Sequence, residues 1–240
     1  LQYIRITNSD ELLPDAYYNL ADAYLRTDQT SEAIKSYETI IEEFSSSERA
    51  ALALGELGRL KFEAGEFEQS KEYYRRLLEK GSQNRHRAYL GMGNASLEMG
   101  QPEQALEEFE NALSVNPESD AARAGKAKVF FRQNRFEEAR TIFSEVAERN
   151  TTDIGAEAQW MVGRTYQQQN QLDEALAAYS RVSVLFEAYD TWVAEANYNT
   201  AEIYILQGQR GDALNLLNDI IENYPGTEAS DKARQLLRRE

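Results

Sequence analysis

Apolar residues recur along almost the whole chain at spacings of three and four residues, which is the period of one buried face of an α-helix. Short segments rich in Gly, Asn and Gln, such as EAGEFEQ and QQNQLDE, separate these stretches. Only 4 prolines and 13 glycines occur in 240 residues, which disfavours long linkers. The pattern therefore predicts an all-α chain of paired helices joined by short turns.

One set of positions recurs six times at steps of 34 to 38 residues, and a fixed period of this length indicates a repeat array. A small residue near the start of each second helix defines the copies, namely Ala33, Ser70, Ala105, Ala139, Ala175 and Ala213. Twelve residues earlier stands another small residue, namely Ala21, Gly58, Gly93, Ala127, Gly163 and Ala201. Four residues later stands a large apolar one, namely Tyr37, Tyr74, Phe109, Phe143, Tyr179 and Leu217. The small residues let two helices approach closely, and the large one fills the space between them.

These small and aromatic positions, in YYNLADAYLRTDQTSEAIKSYETII, YLGMGNASLEMGQPEQALEEFENALSVNP and QWMVGRTYQQQNQLDEALAAYSRV, resemble the tetratricopeptide repeat. The resemblance implies a right-handed α-α superhelical solenoid of about six helix-turn-helix repeats plus a C-terminal capping helix. The repeats are predicted near 14–47, 51–84, 86–119, 120–153, 156–189 and 194–227. The capping helix is expected at 228–240, starting at Glu228 or Ser230. Residues 1–13 are interpreted as the remnant of a preceding repeat or as an N-terminal cap, because LQYIRI followed by TNSDELLPDA resembles the last turn of a second helix and the link to the next repeat.

The overall charge of the chain is strongly acidic, with a formal net value of −15. Such a surface repels phosphate backbones and anionic lipids, so neither nucleic acid nor a membrane surface is an expected partner. No apolar run approaches the roughly 20 residues that span a bilayer. The absence of cysteine suits an exported bacterial protein. The link YPGTEA and the long repeat steps of 36–38 residues give a further resemblance to repeat proteins of the bacterial cell envelope, such as the Tol-Pal-associated kind. That resemblance favours a periplasmic or cell-envelope location over the cytoplasm.

Catalytic chemistry has no candidate motif in this sequence. His86 is the only histidine, and its neighbours in NRHRAY are cations rather than metal ligands. The carboxylate pairs Glu42–Glu43, Glu107–Glu108 and Glu137–Glu138 fall on second helices and are interpreted as solvated charge. We therefore expect no enzyme activity, no cofactor and no metal.

A partner-binding surface is implied by the family resemblance, because first helices of such repeats line a groove that holds a peptide or a partner helix. The positions that correspond are Arg59, Phe62, Asn94, Leu97, Lys128, Phe131, Arg132, Trp160, Arg164 and Tyr198. The cations among them reverse the sign of the chain locally and favour an acidic segment or a C-terminal carboxylate as ligand. Alternatively, the same cations pair with Glu63, Glu98 or Glu157 nearby. Trp160 would either anchor a ligand or pack between repeats.

The predicted function is a non-catalytic scaffold for protein–protein interaction that organises a bacterial multiprotein complex. Alternatives left open are a recruiting or regulatory module of a larger enzyme, a self-assembling homo-oligomeric scaffold, and RNA binding by a helical-repeat array. The last of these would need a basic groove and a less acidic surface.

Overall fold

The computed structural model describes residues 10–239, so most of the predicted 1–13 segment lies outside the described residues. A turn of 3-10 helix at Asp10–Leu12 precedes the first α-helix, and another lies at Ser82–Asn84. Residues 10–239 form thirteen α-helices and no strand. The helices are α1 Leu13–Leu25, α2 Thr30–Glu43, α3 Glu48–Glu63, α4 Phe67–Leu78, α5 Arg85–Glu98, α6 Pro102–Val115, α7 Asp120–Arg132, α8 Phe136–Arg149, α9 Asp153–Gln168, α10 Leu172–Leu185, α11 Asp190–Leu206, α12 Arg210–Asn223 and α13 Glu228–Leu237.

The turn inside each helix pair has a left-handed residue at the same place, five residues before the small residue of the second helix. These positions are Asp28, Gly65, Gly100, Asn134, Asn170 and Gly208, with φ between 57° and 76°. Only Gly, Asn and Asp adopt this region readily, because a larger side chain collides with the backbone there. The residue after each one donates its N–H back into the first helix, as Gln29 does to the Tyr24 carbonyl at 2.9 Å. The sequence thus sets each turn locally.

Close packing within each pair follows the predicted small and large positions. All six small residues of the first helices are buried, and so are all six large residues of the second helices. A Cβ atom added at Gly93 would come within 2.7 Å of the Phe109 ring, and one added at Gly163 within 2.4 Å of the Tyr179 ring. The aromatic ring therefore occupies the space that a side chain on the first helix would need.

The chain forms two compact units, residues 1–122 and residues 123–240. In the described part of the first unit, Tyr37, Ile40, Leu54 and Leu57 belong to one fully buried cluster. The second unit has one cluster around Tyr179 and Val182, and another around Leu217 and Ile220. Each unit thus buries its own core between neighbouring helix pairs, as a repeat array requires.

A buried ion pair corrects one sequence expectation. Glu108 was predicted to be solvated, but its side chain is only 6% exposed and its carboxylate lies 2.8 Å from the Lys71 ammonium, itself 7% exposed. The Ser96 hydroxyl donates to the same carboxylate at 2.6 Å. The expectation was wrong because Lys71 belongs to the preceding repeat, and the two charges meet only when α4 and α6 stack on either side of α5.

The capping helix α13 begins at Glu228, one of the two predicted starts, and Thr227 before it is the N-cap. The Thr227 hydroxyl accepts a hydrogen bond from the Ser230 N–H at 3.2 Å, and the Thr227 backbone is extended. The side chain therefore satisfies one of the amide donors that the first helical turn leaves free.

Replacing Thr227 with Ala is expected to lower the free energy of unfolding by about 1 kcal/mol, because the cap bond is lost. Ala229 and Ala233 of α13 are fully buried against Leu217 and its neighbours, so fraying of this helix exposes core. Urea denaturation followed by circular dichroism measures the change. Thr227→Ser keeps the hydroxyl, so its free energy of unfolding should remain within a few tenths of a kcal/mol of the wild-type value. An alanine variant as stable as wild type would contradict the role of the cap.

Candidate functional site

The predicted site residues of the first unit lie on α3 and α5. Arg59 of α3 is held by two carboxylates of its own helix, with its guanidinium 3.0 Å from Glu56 and 2.7 Å from Glu63. The Phe62 ring packs on the Phe67 ring with centroids 5.3 Å apart. Asn94 and Leu97 lie on α5, where Asn94 is half-buried and Leu97 is buried. The alternative expected for Arg59, pairing with Glu63, is thus the arrangement found.

The remaining predicted residues lie in the second unit, on first helices α7, α9 and α11. Lys128 and Phe131 of α7 are half-buried and Arg132 is exposed. The Lys128 ammonium lies 2.6 Å from the Glu157 carboxylate of α9, which again is the expected alternative. Both side chains are partly shielded from water, so much of the Lys128 charge is offset locally.

Arg164 of α9 differs from the other two cations at its repeat position. Its guanidinium lies 5.0 Å from the centroid of the Trp160 ring and 5.7 Å from that of Phe131. Within residues 10–239 it forms no ion pair. Attraction to the electron-rich faces of two rings fixes the guanidinium in place while leaving its positive charge uncompensated by a carboxylate. We name the surface of Phe131, Trp160, Arg164 and Tyr198 the first-helix surface.

Trp160 connects neighbouring repeats of the second unit. Its ring lies 5.3 Å from that of Trp192 of α11, and its indole N–H donates to the Asn199 side-chain oxygen at 2.8 Å. Asn199 in turn donates to Glu202 at 3.1 Å. These bonds hold the Trp160 ring in one orientation, under the Arg164 guanidinium. Trp160 therefore does pack between repeats, and it also supports the cation.

A pocket of about 370 Å³ lies beside Arg164. Its lining residues are Arg164, Gln167, Gln168, Glu195, Tyr198, Asn199, Glu202 and Lys232. Burial, followed by the nearby Glu202 carboxylate, raises the pKa of the Tyr198 phenol above its ordinary value, so the phenol stays protonated and can donate. The pocket thus combines two cations, Arg164 and Lys232, and two carboxylates, Glu195 and Glu202, with amide groups and a phenol. In the described part of the chain no cluster of three His, Asp or Glu side chains could hold a metal ion.

Lys232 and Glu195 also line this pocket, and neither is among the site residues predicted from the sequence. The Lys232 ammonium of α13 lies 3.0 Å from Glu195 of α11 and 3.0 Å from Glu228 of its own helix. The two partners Lys232 and Glu195 are 37 residues apart, close to the repeat period. This spacing could have predicted the Lys232–Glu195 contact from the sequence, because it places α13 where the first helix of a further repeat would lie.

Comparison with known families agrees with this architecture. Two family models, both described as tetratricopeptide repeat, match the chain, one over residues 12–80 and 155–225 and the other over residues 96–158. The chain therefore belongs to the tetratricopeptide repeat family. Proteins of this family are generally non-catalytic scaffolds for protein interaction, and some bind peptides. No curated protein sequence gives a significant match.

Solved structures of low sequence identity share the fold. A tetratricopeptide repeat protein from Parabacteroides merdae is 20% identical, with a TM-score of 0.78 over 98% of this chain and 87% of that one. The type IV pilus biogenesis factor PilW is 17% identical, with a TM-score of 0.67 over 93% of this chain and 98% of that one. The Cut9–Hcn1 assembly of the APC/C gives 17% identity and a TM-score of 0.72, over 98% of this chain but 45% of that one. Within residues 10–239 every helix is too short or too polar to cross a membrane.

Proposed function

We propose that this chain is a non-catalytic scaffold whose first-helix surface binds an acidic segment of a partner protein and so organises a multiprotein complex. The observation that carries the proposal is the Arg164 guanidinium, which two aromatic rings hold in place and which forms no ion pair within residues 10–239. A preorganised guanidinium loses little freedom when it binds a carboxylate, and its planar shape matches the two carboxylate oxygens.

In the pocket beside Arg164, the cations Arg164 and Lys232 balance the carboxylates Glu195 and Glu202, so the lining has no net negative charge that would repel an acidic ligand. Lys232 offsets the charge of Glu195, so that carboxylate repels an incoming anion less than an unpaired one would. The amides of Gln167, Gln168 and Asn199 line the same pocket and can bond to the peptide backbone of a ligand. Trp160 and Phe131 supply apolar area next to the charge, the arrangement typical of residues that dominate binding energy.

Arg164→Gln is expected to weaken binding of a glutamate-rich peptide with a free C-terminus by about tenfold or more, because one charge-assisted contact is lost. Trp160 and Trp192 are the only two tryptophans of the chain, and their rings touch beside the site. A change in tryptophan emission on titration with the peptide therefore reports binding directly.

Two controls show whether binding depends on Arg164 itself or only on the overall charges of the protein and the peptide. Arg135→Gln removes an exposed cation that is paired with Glu138 and lies outside the pocket, so binding should be unchanged. A glutamine-rich peptide with an amidated C-terminus should bind wild type and the Arg164→Gln variant with the same weak affinity. Equal affinity of wild type and Arg164→Gln for the acidic peptide, with matching circular dichroism, would overturn the proposal.

A further inference from the structure

A second groove lies in the same unit, between α10 and α12, with α11 as its floor. Its volume is about 620 Å³. Leu176 and Val184 of α10 and Leu216 of α12 give it apolar walls, and the Val184 side chain is 71% exposed. Asp212 and Asp219 are its only charged lining residues. We name this space the α10–α12 groove.

The α10–α12 groove is separate from the first-helix surface. Thr200 of α11 lines the groove, whereas Tyr198 and Glu202 of the same helix line the pocket beside Arg164. Two residues along an α-helix turn by roughly 200°, so the groove and the pocket lie on opposite sides of α11. A ligand in one leaves the other open.

The preceding groove, between α8 and α10, shows what this space accepts. Arg140 follows the small residue Ala139, and its guanidinium lies 4.1 Å from the centroid of the Tyr166 ring. It pairs with Glu137 and donates to the Gln169 side chain at 2.6 Å. The Arg140 side chain is only 13% exposed. In that groove the chain covers the tyrosine with an arginine of its own.

The α10–α12 groove has the tyrosine without the arginine. Tyr204 follows the small residue Ala201 by three positions, as Tyr166 follows Gly163, but the residue after Ala175 is Leu176. No cationic side chain of residues 10–239 lies over the Tyr204 ring, and in the same range neither groove carboxylate forms an ion pair. An aromatic face beside two uncompensated carboxylates attracts a cation, and a guanidinium stacks on such a ring better than an ammonium.

We propose that the α10–α12 groove is a docking surface for a segment of a partner protein that inserts an arginine over Tyr204. Asp212 and Asp219 lie about two helical turns apart on α12, so one of them binds the guanidinium and the other attracts a further cation of the segment. An apolar side chain of the segment packs on Leu176, Val184 and Leu216. The partner chemistry is thus basic and amphipathic, the opposite in charge of the segment proposed for the first-helix surface. One chain would then hold two unlike segments on two sides of α11.

The test uses a fluorescent alanine- and leucine-based peptide with two arginines one helical turn apart, and the same peptide with citrulline in place of arginine. Citrulline keeps the shape of the side chain and removes its charge. Fluorescence anisotropy with the full chain should show the arginine peptide binding about tenfold or more tightly than the citrulline peptide. The difference should shrink with added salt, because exposed charge pairs are screened.

Variants locate the binding in the groove. Leu176→Arg restores the arginine that fills the preceding groove, and it should abolish binding by occupying the site. Asp212→Asn with Asp219→Asn should weaken binding about tenfold. Glu174→Gln neutralises the carboxylate that corresponds to Asp212 in the preceding groove, where Arg140 already lies, and it should leave binding unchanged. Tyr204→Leu provides a second test of the stacking contact if Leu176→Arg does not fold.

Three results would each overturn the inference. The first is equal affinity for the arginine and citrulline peptides, and the second is full binding by a folded Leu176→Arg or Tyr204→Leu variant. The third is no binding of the arginine peptide to wild type at about 1 mM, which corresponds to a binding free energy weaker than about −4 kcal/mol. None of these results tests Arg164, so the proposal for the α10–α12 groove and the proposal for the first-helix surface are tested independently.

Discussion

Lys71→Met is expected to lower the free energy of unfolding by about 3–5 kcal/mol, because it leaves the Glu108 carboxylate buried without its cation. The Glu108 side chain is 6% exposed, and its remaining hydrogen-bond donor would be the Ser96 hydroxyl. One neutral hydrogen bond does not replace the hydration that the carboxylate gives up on folding. Urea denaturation followed by circular dichroism measures the loss.

The double variant Lys71→Met, Glu108→Met is the control for this pair. It removes both charges and fills similar volume with apolar atoms, a change that is often neutral or stabilising for buried ion pairs. Ser96 can then turn its hydroxyl to a carbonyl of its own helix. The effects of the two substitutions on the free energy of unfolding are therefore expected to be strongly coupled, and the stability of the double variant should be close to that of wild type. A single variant that loses less than about 1 kcal/mol would show that Glu108 reaches water.

Gly163→Leu is expected to destabilise the second unit by about 3 kcal/mol or more, which is the upper part of the range for overpacked cores. An added Cβ atom alone would come within 2.4 Å of the Tyr179 ring. That ring cannot move easily, because Tyr179 is 1% exposed and its hydroxyl donates to the Gln167 side chain at 2.6 Å. Thermal and urea unfolding of the variant give the magnitude.

Gly211→Leu is the matched control, since Gly211 also lies in a helix of the second unit. A Cβ atom at Gly211 meets no other atom within 4 Å. Leucine has a higher helix propensity than glycine, so this variant should be more stable than wild type, by up to about 1 kcal/mol in the free energy of unfolding. Similar losses at both glycines would refute the packing argument.

The candidate site was predictable only in part, and the cations show why. Arg59, Lys128 and Arg164 occupy the same position in three repeats, so the repeat pattern predicts the same role for all three. Whether such a cation has a partner depends on residues one turn or one repeat away, such as Glu63 on α3 for Arg59 and Glu157 on α9 for Lys128. Arg164 instead lies over Trp160 and Phe131. A single position in the repeat does not encode that difference.

The sequence alone determined the repeat period, the helix pairs and the turns. These depend on local rules: the three- and four-residue spacing of apolar positions, left-handed Gly, Asn or Asp in each turn, and a small residue twelve positions before each small residue of a second helix. Such rules act within one pair of helices, so a pattern such as Gly163, Ala175 and Tyr179 specifies its own packing.

Only the tertiary structure decided which charges are buried, paired or uncompensated. Glu108 is buried because Lys71 reaches it from the preceding repeat, and Glu195 is paired because Lys232 reaches it from the capping helix. The α10–α12 groove is open because Leu176 replaces the arginine that covers the corresponding tyrosine in the groove before it. Each of these features joins side chains of different repeats, whose contacts depend on how helix pairs stack and not on the pattern within any one pair.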